Sequence, residues 1–357
     1  MANSYKTLLP EDVATTRTLL HEAIPITGTI VSGTYTDNNI KYFSHGMYEA
    51  VYDYPFLSSS ANHIFDLTAG YASGSVFQGA QEGGFTSVQD QKKINIYNQM
   101  AQVLVGYDVS GNIQQFDQDG NPGAGTKMDS CFFINFARLL NKDEIKKQSL
   151  TLRLFTTTPN GSDASGQRTG LKTISDFGAQ TSYLTNSPAG EYGLLYTASQ
   201  ALVGSEIGHV YYQAGVVVLT SSIFTVATPT MTTASVMSTI TTSSVHDLFA
   251  SGTIDECANA IRYAYDDVEF NNTTELNSTI YFCRANNTEF NYSSNPTYLS
   301  SSEIVVKGSN PLADPVSYIT TVGLYSPDNE LLAIAKLSEP LKKSPSNEVT
   351  LRVRLDY

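Results

Sequence analysis

"VGLYSPDNELLAIAKLSEP", residues 322–340, has the clearest local pattern in the sequence. Two runs rich in apolar residues flank "SPDN", a set of residues that favours a tight turn. Val322 and Leu324 on one side face Leu331 or Leu332, Ile334 and Leu337 on the other. The pattern predicts a β-hairpin whose apolar residues belong to a core.

Two neighbouring segments extend this prediction. Residues 348–357 alternate well enough to form a third strand, and "TIDECANAIRYAYD" (253–266) has helical spacing, with Ile254, Ala258 and Ile261 on one face. Three strands with one apolar face can pack on a helix. We therefore expect the C-terminal region to be a compact β-layer packed on the helix at 253–266.

The composition of the whole chain favours β-structure. Apolar residues make up 41% and charged residues only 15%, with 22 Tyr, 16 Phe and no Trp. The polar surface must then come mainly from Ser, Thr, Asn, Gln and Tyr, and Thr, Tyr and Val suit pleated surfaces. The predicted class is mainly β with a few helices, in antiparallel β-sandwich-like layers and two domains. A weakly charged, Tyr-rich surface also suits protein interfaces.

The predicted first domain is a β-rich body over residues 1–225, with helices near 10–23 and 88–105. Helical spacing of apolar residues and a glycine at 106 define the second helix, and a further short helix is expected over 141–148. Residues 226–245 are rich in Thr and Ser and read as a linker or arm. Residues 246–357 form the predicted C-terminal domain, a helix and an antiparallel β-layer.

Charge and cysteine usage limit the functional classes. With 21 basic and 34 acidic residues the net charge is −13, which disfavours contact with nucleic acid or an anionic membrane. Three cysteines without metal-ligand spacing suit a reducing compartment. The sequence contains no secretory signal pattern and no apolar run of membrane-spanning length. We expect a soluble protein made in a cytoplasm.

No pattern of catalytic, cofactor-binding or metal-binding residues is complete. "GNPGAGTKM" (120–128) has the glycines of a phosphate-binding loop, but its lysine is displaced and a strand-like run follows. "DQDGN" (117–121) starts like a calcium loop, yet Pro122 and Met128 stand where glycine and glutamate are needed. The five histidines are scattered. We predict no catalytic residue, no cofactor, no metal and no small-molecule substrate.

Two aromatic loops support a different kind of site. "YDYPF" (52–56) and "EFNYSSNPTYL" (289–299) could stack on sugars, with Tyr54 and Tyr292 as the candidate glycan-binding residues. The same aromatics also suit core and corner positions.

The chain resembles structural virion proteins of large contractile-tailed phages, notably T4-like phages of marine cyanobacteria. The resemblance is carried by "FFINFARLLNKDEIKKQSL" (132–150), "VYYQAGVVVLTSSIF" (210–224) and the C-terminal segments from Phe270 to Tyr357. It consists of fold-type segments and implies a phage particle without assigning any site residue. The hairpin is similar to those at which subunits of phage tails dock.

These observations predict a non-catalytic structural component of a tailed-phage particle, in the tail, baseplate or neck. Its expected partners are further copies of itself and other phage structural proteins, and its expected location is the virion, assembled in the host cytoplasm. One alternative is a receptor- or glycan-binding adhesin of the tail, and another is a capsid decoration protein. A tail-borne hydrolase is the enzyme alternative.

Overall fold

A computed structural model of the chain describes residues 5–26, 37–75, 88–121, 123, 125–158, 169–197, 205–224, 231–232, 242–243, 245–293, 295, 299–300, 303–304, 312 and 314–357. The chain divides into two compact units. The terminal unit comprises Met1–Leu19 and Glu275–Tyr357, and the central unit comprises Leu20–Thr274. The described residues are mainly β, with antiparallel sheets and five α-helices, which confirms the predicted mainly-β class, while the two domains stay a prediction.

Most of the described elements are strands. They are β1 (Val13–Ile26), β2 (Ile40–Tyr42), β3 (Glu49–Tyr52), β4 (His63–Tyr71), β5 (Ser130–Phe136), β6 (Glu144–Ile145), β7 (Thr151–Thr158), β8 (Thr169–Ser175), β9 (Leu184–Ser187), β10 (Gly190–Tyr196), β11 (Glu206–Tyr211), β12 (Val216–Thr220), β13 (Met231–Thr232), β14 (Thr242–Ser243), β15 (Tyr265–Ala285), β16 (Leu299–Ser300), β17 (Glu303–Ile304), β18 (Ser317–Tyr325), β19 (Leu331–Lys343) and β20 (Val349–Asp356). The helices are α1 (Val88–Leu104), α2 (Arg138–Asn141), α3 (Ala179–Ser182), α4 (Val245–Ala250) and α5 (Ile254–Ala264).

An antiparallel sheet forms the middle of the central unit. Its strands follow the order β15, β7, β8, β10, β11, β12, β5, β4, β3, β2. β5 and β12 are buried on both faces, so successive residues enter different cores: Phe132 and Ile134 pack in one, Cys131 and Phe133 in the other. This burial explains why these strands are almost continuously apolar.

Helices cover the two faces of this sheet. Tyr97 and Leu104 of α1 belong to the core with Phe133, whereas Ala258 and Ile261 of α5 belong to the core with Phe132. The approach of α1 to β4 requires a glycine, because a Cβ on Gly70 would lie 2.5 Å from the backbone oxygen of Lys93. The predicted helix near 88–105 is confirmed.

The helix predicted over 253–266 is also confirmed, as α5. Thr253 caps it: its hydroxyl oxygen accepts a hydrogen bond from Glu256 N at 3.1 Å. Glu256 Oε2 in turn accepts one from Thr253 N at 2.6 Å. This reciprocal pair satisfies two backbone N–H groups at the helix N-terminus.

The helix predicted near 10–23 is wrong. Pro10–Asp12 form a single 3-10 turn, and Val13–Ile26 continue as strand β1 beside β15. The proline and the acidic residues, which suit the start of a helix, form only this single turn. The β-branched residues that follow, Val13, Thr15 and Thr16 among them, disfavour a helix, and pairing with a long neighbouring strand decides the outcome.

The short helix predicted over 141–148 is likewise wrong. Asn141 ends α2 instead of starting a helix, and Ile145 pairs with Asn272 of β15. Lys142 and Gln148 have φ values of 54° and 60°, which no helix accommodates. Strand pairing has therefore replaced local helix propensity here.

The terminal unit contains β20 and the hairpin of β18 and β19. β20 pairs antiparallel with the last part of β15 over eight residue pairs, from Ser278↔Asp356 to Ala285↔Val349. Among the described strands, β20 therefore does not join the hairpin, and the predicted three-stranded layer is wrong. Within the central unit, α5 packs against β4, β5 and β7.

The predicted boundary at 226–245 stays a prediction, because most of that segment lies outside the described residues. The two compact units divide elsewhere, within β1 and within β15. In the part of the chain that the structure describes, none of the helices has the length and apolar character needed to span a bilayer.

Candidate assembly surface

The predicted hairpin at 322–340 is confirmed. β18 and β19 are antiparallel, with Val322↔Ala335, Gly323↔Ile334 and Leu324↔Ala333 as paired residues. The turn is closed by a hydrogen bond from Ser326 N to Glu330 O at 2.8 Å. Asn329 has a φ of 64°, a conformation that asparagine adopts more readily than most residues.

The base of the hairpin is fixed within the terminal unit. Ser317 and Lys343 are paired there and both are buried. Lys343 Nζ donates to Asn291 Oδ1 at 2.7 Å and to Ser344 O at 3.0 Å, and the Ser317 hydroxyl donates to Phe290 O. These bonds tie both strands to the loop after β15.

Beyond its base the hairpin is a ribbon of two strands. β18 and β19 pair with each other and with no other described strand. One face carries Val322, Leu324, Ala333 and Ala335, which are partly buried. A two-stranded hairpin by itself is marginally stable in water, so a ribbon of this kind gains stability from further contacts.

The other face of the ribbon is apolar and exposed. Ile334 is paired with Gly323 on this face. The side chains of Tyr325 and Leu331 lie close to Gly323: a Cβ added to this glycine would be 2.9 Å from the Tyr325 ring and 3.3 Å from Leu331 Cδ1. Ile334 is 55% exposed, and Leu332, two residues before it in β19, is 68% exposed. We call Tyr325, Leu331, Leu332 and Ile334 the apolar patch.

Opposite charges flank the apolar patch along β19. Glu330 precedes it at the turn and Lys336 follows it, and both side chains are exposed. Neither forms an ion pair with any residue that the structure describes. The patch therefore has a negative end and a positive end.

The two edges of the ribbon differ. β18 has nine residues without a charge or a proline. In β19, residues 337–340 bulge out of the ladder and end at Pro340, which has no N–H to offer a neighbour. Bulges, prolines and charges are the usual protection of edge strands, so β19 is the better protected edge.

The titratable groups with large pKa shifts lie in the core of the central unit. Burial raises the pKa of Glu49 to about 8 and that of Asp176 to about 6, and it lowers the pKa of His209 to about 4. Asp176 accepts hydrogen bonds from Tyr212 Oη at 2.9 Å and from Leu150 N at 3.1 Å. Shifted pKa values occur both at reaction sites and in buried structural hydrogen-bond networks. The hydrogen bonds that Asp176 accepts from Tyr212 and Leu150 place it in a structural network.

The loop at 117–128, which resembles phosphate-binding and calcium-binding motifs, is a turn stabilised by an ion pair between two of its own residues. Lys127 Nζ lies 2.5 Å from Asp117 Oδ2, and the two residues also form a β-bridge. The lysine of the phosphate-loop pattern is thus bound to a carboxylate of the same loop. Within the described ranges, no group of three or more His, Cys, Asp or Glu side chains is placed to hold a metal ion.

The candidate glycan-binding residues belong to different compact units. Tyr54 follows β3 in the central unit and is 52% exposed, whereas Tyr292 follows β15 in the terminal unit and is 58% exposed. Close to Tyr54 in sequence, the ring of Tyr52 lies 5.4 Å from His63 and 6.4 Å from Phe56, centroid to centroid. Both tyrosines remain candidates.

The sequence pattern does not predict the exposure of the apolar patch, because it predicts a core position for Leu331 or Leu332 and for Ile334. Apolar residues on both faces of a short strand were the available signal, since a hairpin covered on one side alternates apolar and polar residues. Glu330 and Lys336 at the two ends of "ELLAIAK" were a second signal.

No family model matches the chain, and no curated protein or solved structure matches it either. The function is therefore inferred from the residues of this chain.

Proposed function

We propose that this chain is a non-catalytic structural component of a tailed-phage particle, in the tail, baseplate or neck, which acts by assembling with copies of itself and with other structural proteins. The observation that carries the assembly role is the β18–β19 hairpin, fixed at its base and exposed on its apolar patch. The assignment to a phage particle rests on the sequence resemblance of the segments at 132–150, 210–224 and 270–357.

The energetics of the apolar patch support an assembly role. Removing apolar surface from water is worth about 25 cal/mol per Å². Leu331, Leu332 and Ile334 remain in water in the single chain. A partner that covers them gains this free energy and also stabilises a ribbon that is fixed at its base and contacted near its turn by the ring of Tyr5, whose centroid lies 5.0 Å from that of Tyr325.

The chemistry of the described residues supports a non-catalytic role. Glu49, the carboxylate with a pKa raised to about 8, is buried in the core of the central unit, with Arg262 beside it. Neither of its carboxylate oxygens is exposed. A general acid or base must reach its substrate, and a group enclosed in this way does not.

Mass spectrometry and electron microscopy of purified particles test the proposal. We expect the chain in complete particles, at a fixed copy number, and its absence from complete particles overturns the proposal. Density in the tail, baseplate or neck supports the proposed location. Density on the head surface supports the alternative of a capsid decoration protein.

A matched pair of variants tests the role of the hairpin. Ile334→Asp places a charge on the apolar patch and should strongly reduce incorporation into particles. Val109→Asp changes an apolar residue that is fully exposed in a turn after α1, and it should leave incorporation unchanged. Equal incorporation of both variants would count against the hairpin as the assembly element.

The exposure of Tyr54 and Tyr292 favours the adhesin alternative as a second candidate. Aromatic rings that are about half exposed can stack on sugars. Glycan binding by the purified chain that is lost in Tyr54→Ala or Tyr292→Ala, with unchanged thermal unfolding, supports this alternative. A chain that binds no glycan overturns the glycan-binding form of this alternative.

A further inference from the structure

We propose that the apolar patch binds the same patch of a second copy of this chain, across a two-fold axis that sets the two β19 strands antiparallel. This inference rests on the proposed assembly function and deepens it, because it names the partner of the hairpin. The contact is one of side-chain faces and does not require the two strands to share backbone hydrogen bonds.

The order of charges along β19 favours a second copy as the partner. Glu330 and Lys336 are six residues apart, about 20 Å along a strand. When two such strands meet antiparallel, Glu330 of each copy faces Lys336 of the other, so one two-fold contact forms two ion pairs. A parallel arrangement places Glu330 against Glu330 and Lys336 against Lys336, which is repulsive.

The apolar residues between these charges fit the same symmetry. The two-fold axis passes near the backbone of Ala333, the middle residue of "ELLAIAK", whose side chain lies on the opposite face of the ribbon. Leu332 of one copy then faces Ile334 of the other, and the reverse pair forms by symmetry. A two-fold contact requires a self-complementary surface, because each contact between two residues occurs twice, once in each direction across the axis.

The overall charge of the chain makes a complementary order of charges a condition of self-association. Each copy has a net charge of −13, so two copies repel each other over most of their surfaces. Self-association therefore requires a place where acidic and basic groups are arranged in complementary order. Ion pairs at the rim of an interface mainly fix register and specificity, which is the role that Glu330 and Lys336 have here.

The size of the patch predicts a weak contact. Four large side chains cover less than the roughly 800 Å² per partner of a standard protein interface. We expect self-association of the isolated chain to require concentrations well above those of stable dimers. In a particle with many copies, the high effective concentration makes the same contact sufficient.

Sedimentation velocity of the full chain over a concentration series, at low salt, tests the inference. The wild type should shift from monomer to dimer as its concentration rises. Glu330→Lys and Lys336→Glu should each weaken the association about tenfold or more, because each replaces two attractive pairs with two repulsive ones. The double variant E330K/K336E should recover the wild-type affinity, because it restores both attractive pairs with the charges exchanged.

Lys342→Glu is the matched control. Lys342 is an exposed lysine of the same strand, outside the patch. Lys342→Glu changes the net charge by the same amount as Lys336→Glu, and it should keep the wild-type association. Circular dichroism of each variant checks the fold, and the double variant keeps the test valid even if one single variant unfolds. If the double variant fails to recover association while it remains folded, the inference is overturned.

Other outcomes separate this inference from the proposed function. A wild-type chain that stays monomeric at all concentrations, yet enters particles through its hairpin, overturns self-pairing and keeps the assembly role. In that case the partner is a different structural protein. A chain that dimerises as described but is absent from particles keeps the inference and overturns the proposed function.

Discussion

Glu49 of β3 and Arg262 of α5 lie together in the core of the central unit, with Arg262 Nε 3.7 Å from Glu49 Oε2 and both side chains wholly buried. Burial raises the pKa of Glu49 to about 8, the guanidinium of Arg262 opposes this rise, and Asp255 adds to it. Arg262 is also bound to Asn259 Oδ1, one turn earlier in α5. The pair therefore links the sheet to the helix.

We predict that Glu49 makes the chain less stable as the pH rises. Its pKa is raised in the folded chain relative to the ordinary value of 4.5, so the folded chain holds a proton that the unfolded chain has lost. The stability from this group is fully present below about pH 4.5 and is lost as the pH rises through about 8. Urea unfolding at several pH values should show that the fall across this range is smaller in Glu49→Gln.

Glu339→Gln is the control for this prediction. Glu339 is exposed on β19, and Glu339→Gln makes the same chemical change without altering a buried group. The control should keep the pH profile of the wild type. A profile in Glu49→Gln with the same slope as the wild type would mean that Glu49 is not the group responsible.

Lys93 of α1 provides a second buried contact between elements. Its ammonium nitrogen donates to Phe249 O at 2.8 Å and to Leu248 O at 3.3 Å, near the C-terminal end of α4. Burial lowers the pKa of Lys93, while Cys257, Asp90 and Glu256 oppose this change. The lysine thus supplies donors at the C-terminal end of α4, where Leu248 O also accepts a hydrogen bond from Gly252 N at 3.1 Å.

We predict that Lys93→Met destabilises the chain by about 1–3 kcal/mol, because two buried carbonyl groups lose this donor while the packed volume stays similar. Denaturant unfolding monitored by circular dichroism measures the change. Lys92→Met removes a hydrogen bond to His45 O in a more exposed place and should cost about 0.5 kcal/mol or less. Similar losses in the two variants would contradict a special role for Lys93.

The elements that could be predicted from the sequence are those with complete local signals. α1 and α5 have helical spacing of apolar residues, and α5 also has the Thr253–Glu256 capping box. The hairpin has two apolar runs around a turn. In each case the residues that specify the element are neighbours in the sequence.

The predictions that failed depend on contacts between distant residues. The N-terminal helix had a proline and acidic residues in place, but pairing of β1 with β15 prevailed. β20 was predicted as a strand, yet its partner is β15 and not the hairpin. Strand periodicity specifies which residues share a face, and it does not specify what lies against that face.

The same limit applies to the candidate site. The sequence predicts the hairpin of β18 and β19, but the exposure of Leu332 and Ile334 depends on what the rest of the chain covers. Tyr54 and Tyr292 are candidate glycan-binding residues because they lie in two aromatic-rich stretches, and their exposure is consistent with a surface role.

Gly70 of β4 is required by the approach of α1. A Cβ at this position would lie 2.5 Å from Lys93 O and 2.8 Å from Tyr97 N, and both are backbone atoms of a helix that cannot shift alone. We predict that Gly70→Ala destabilises the chain by about 1–3 kcal/mol or more, as overpacking of a core does. Thermal unfolding measures the change.

Gly123→Ala is the matched control for Gly70→Ala. A Cβ at Gly123 would meet Asn121 Oδ1 at 3.8 Å, an ordinary contact, and the position is exposed. The control should change stability by about 0.5 kcal/mol or less. A Gly70→Ala variant as stable as Gly123→Ala would mean that α1 lies farther from β4 than described.

The capping box of α5 gives the last prediction. Thr253→Ala removes the hydroxyl that accepts from Glu256 N, and we expect a loss of about 1 kcal/mol in the free energy of unfolding. Thr253→Ser keeps the hydroxyl and should stay within about 0.5 kcal/mol of the wild type. Urea unfolding of both variants separates the hydrogen bond from the methyl group: equal losses would assign the effect to packing of the methyl group. Because α5 carries Arg262 and covers one face of the sheet, the loss should appear in the cooperative unfolding of the central unit and not as local fraying.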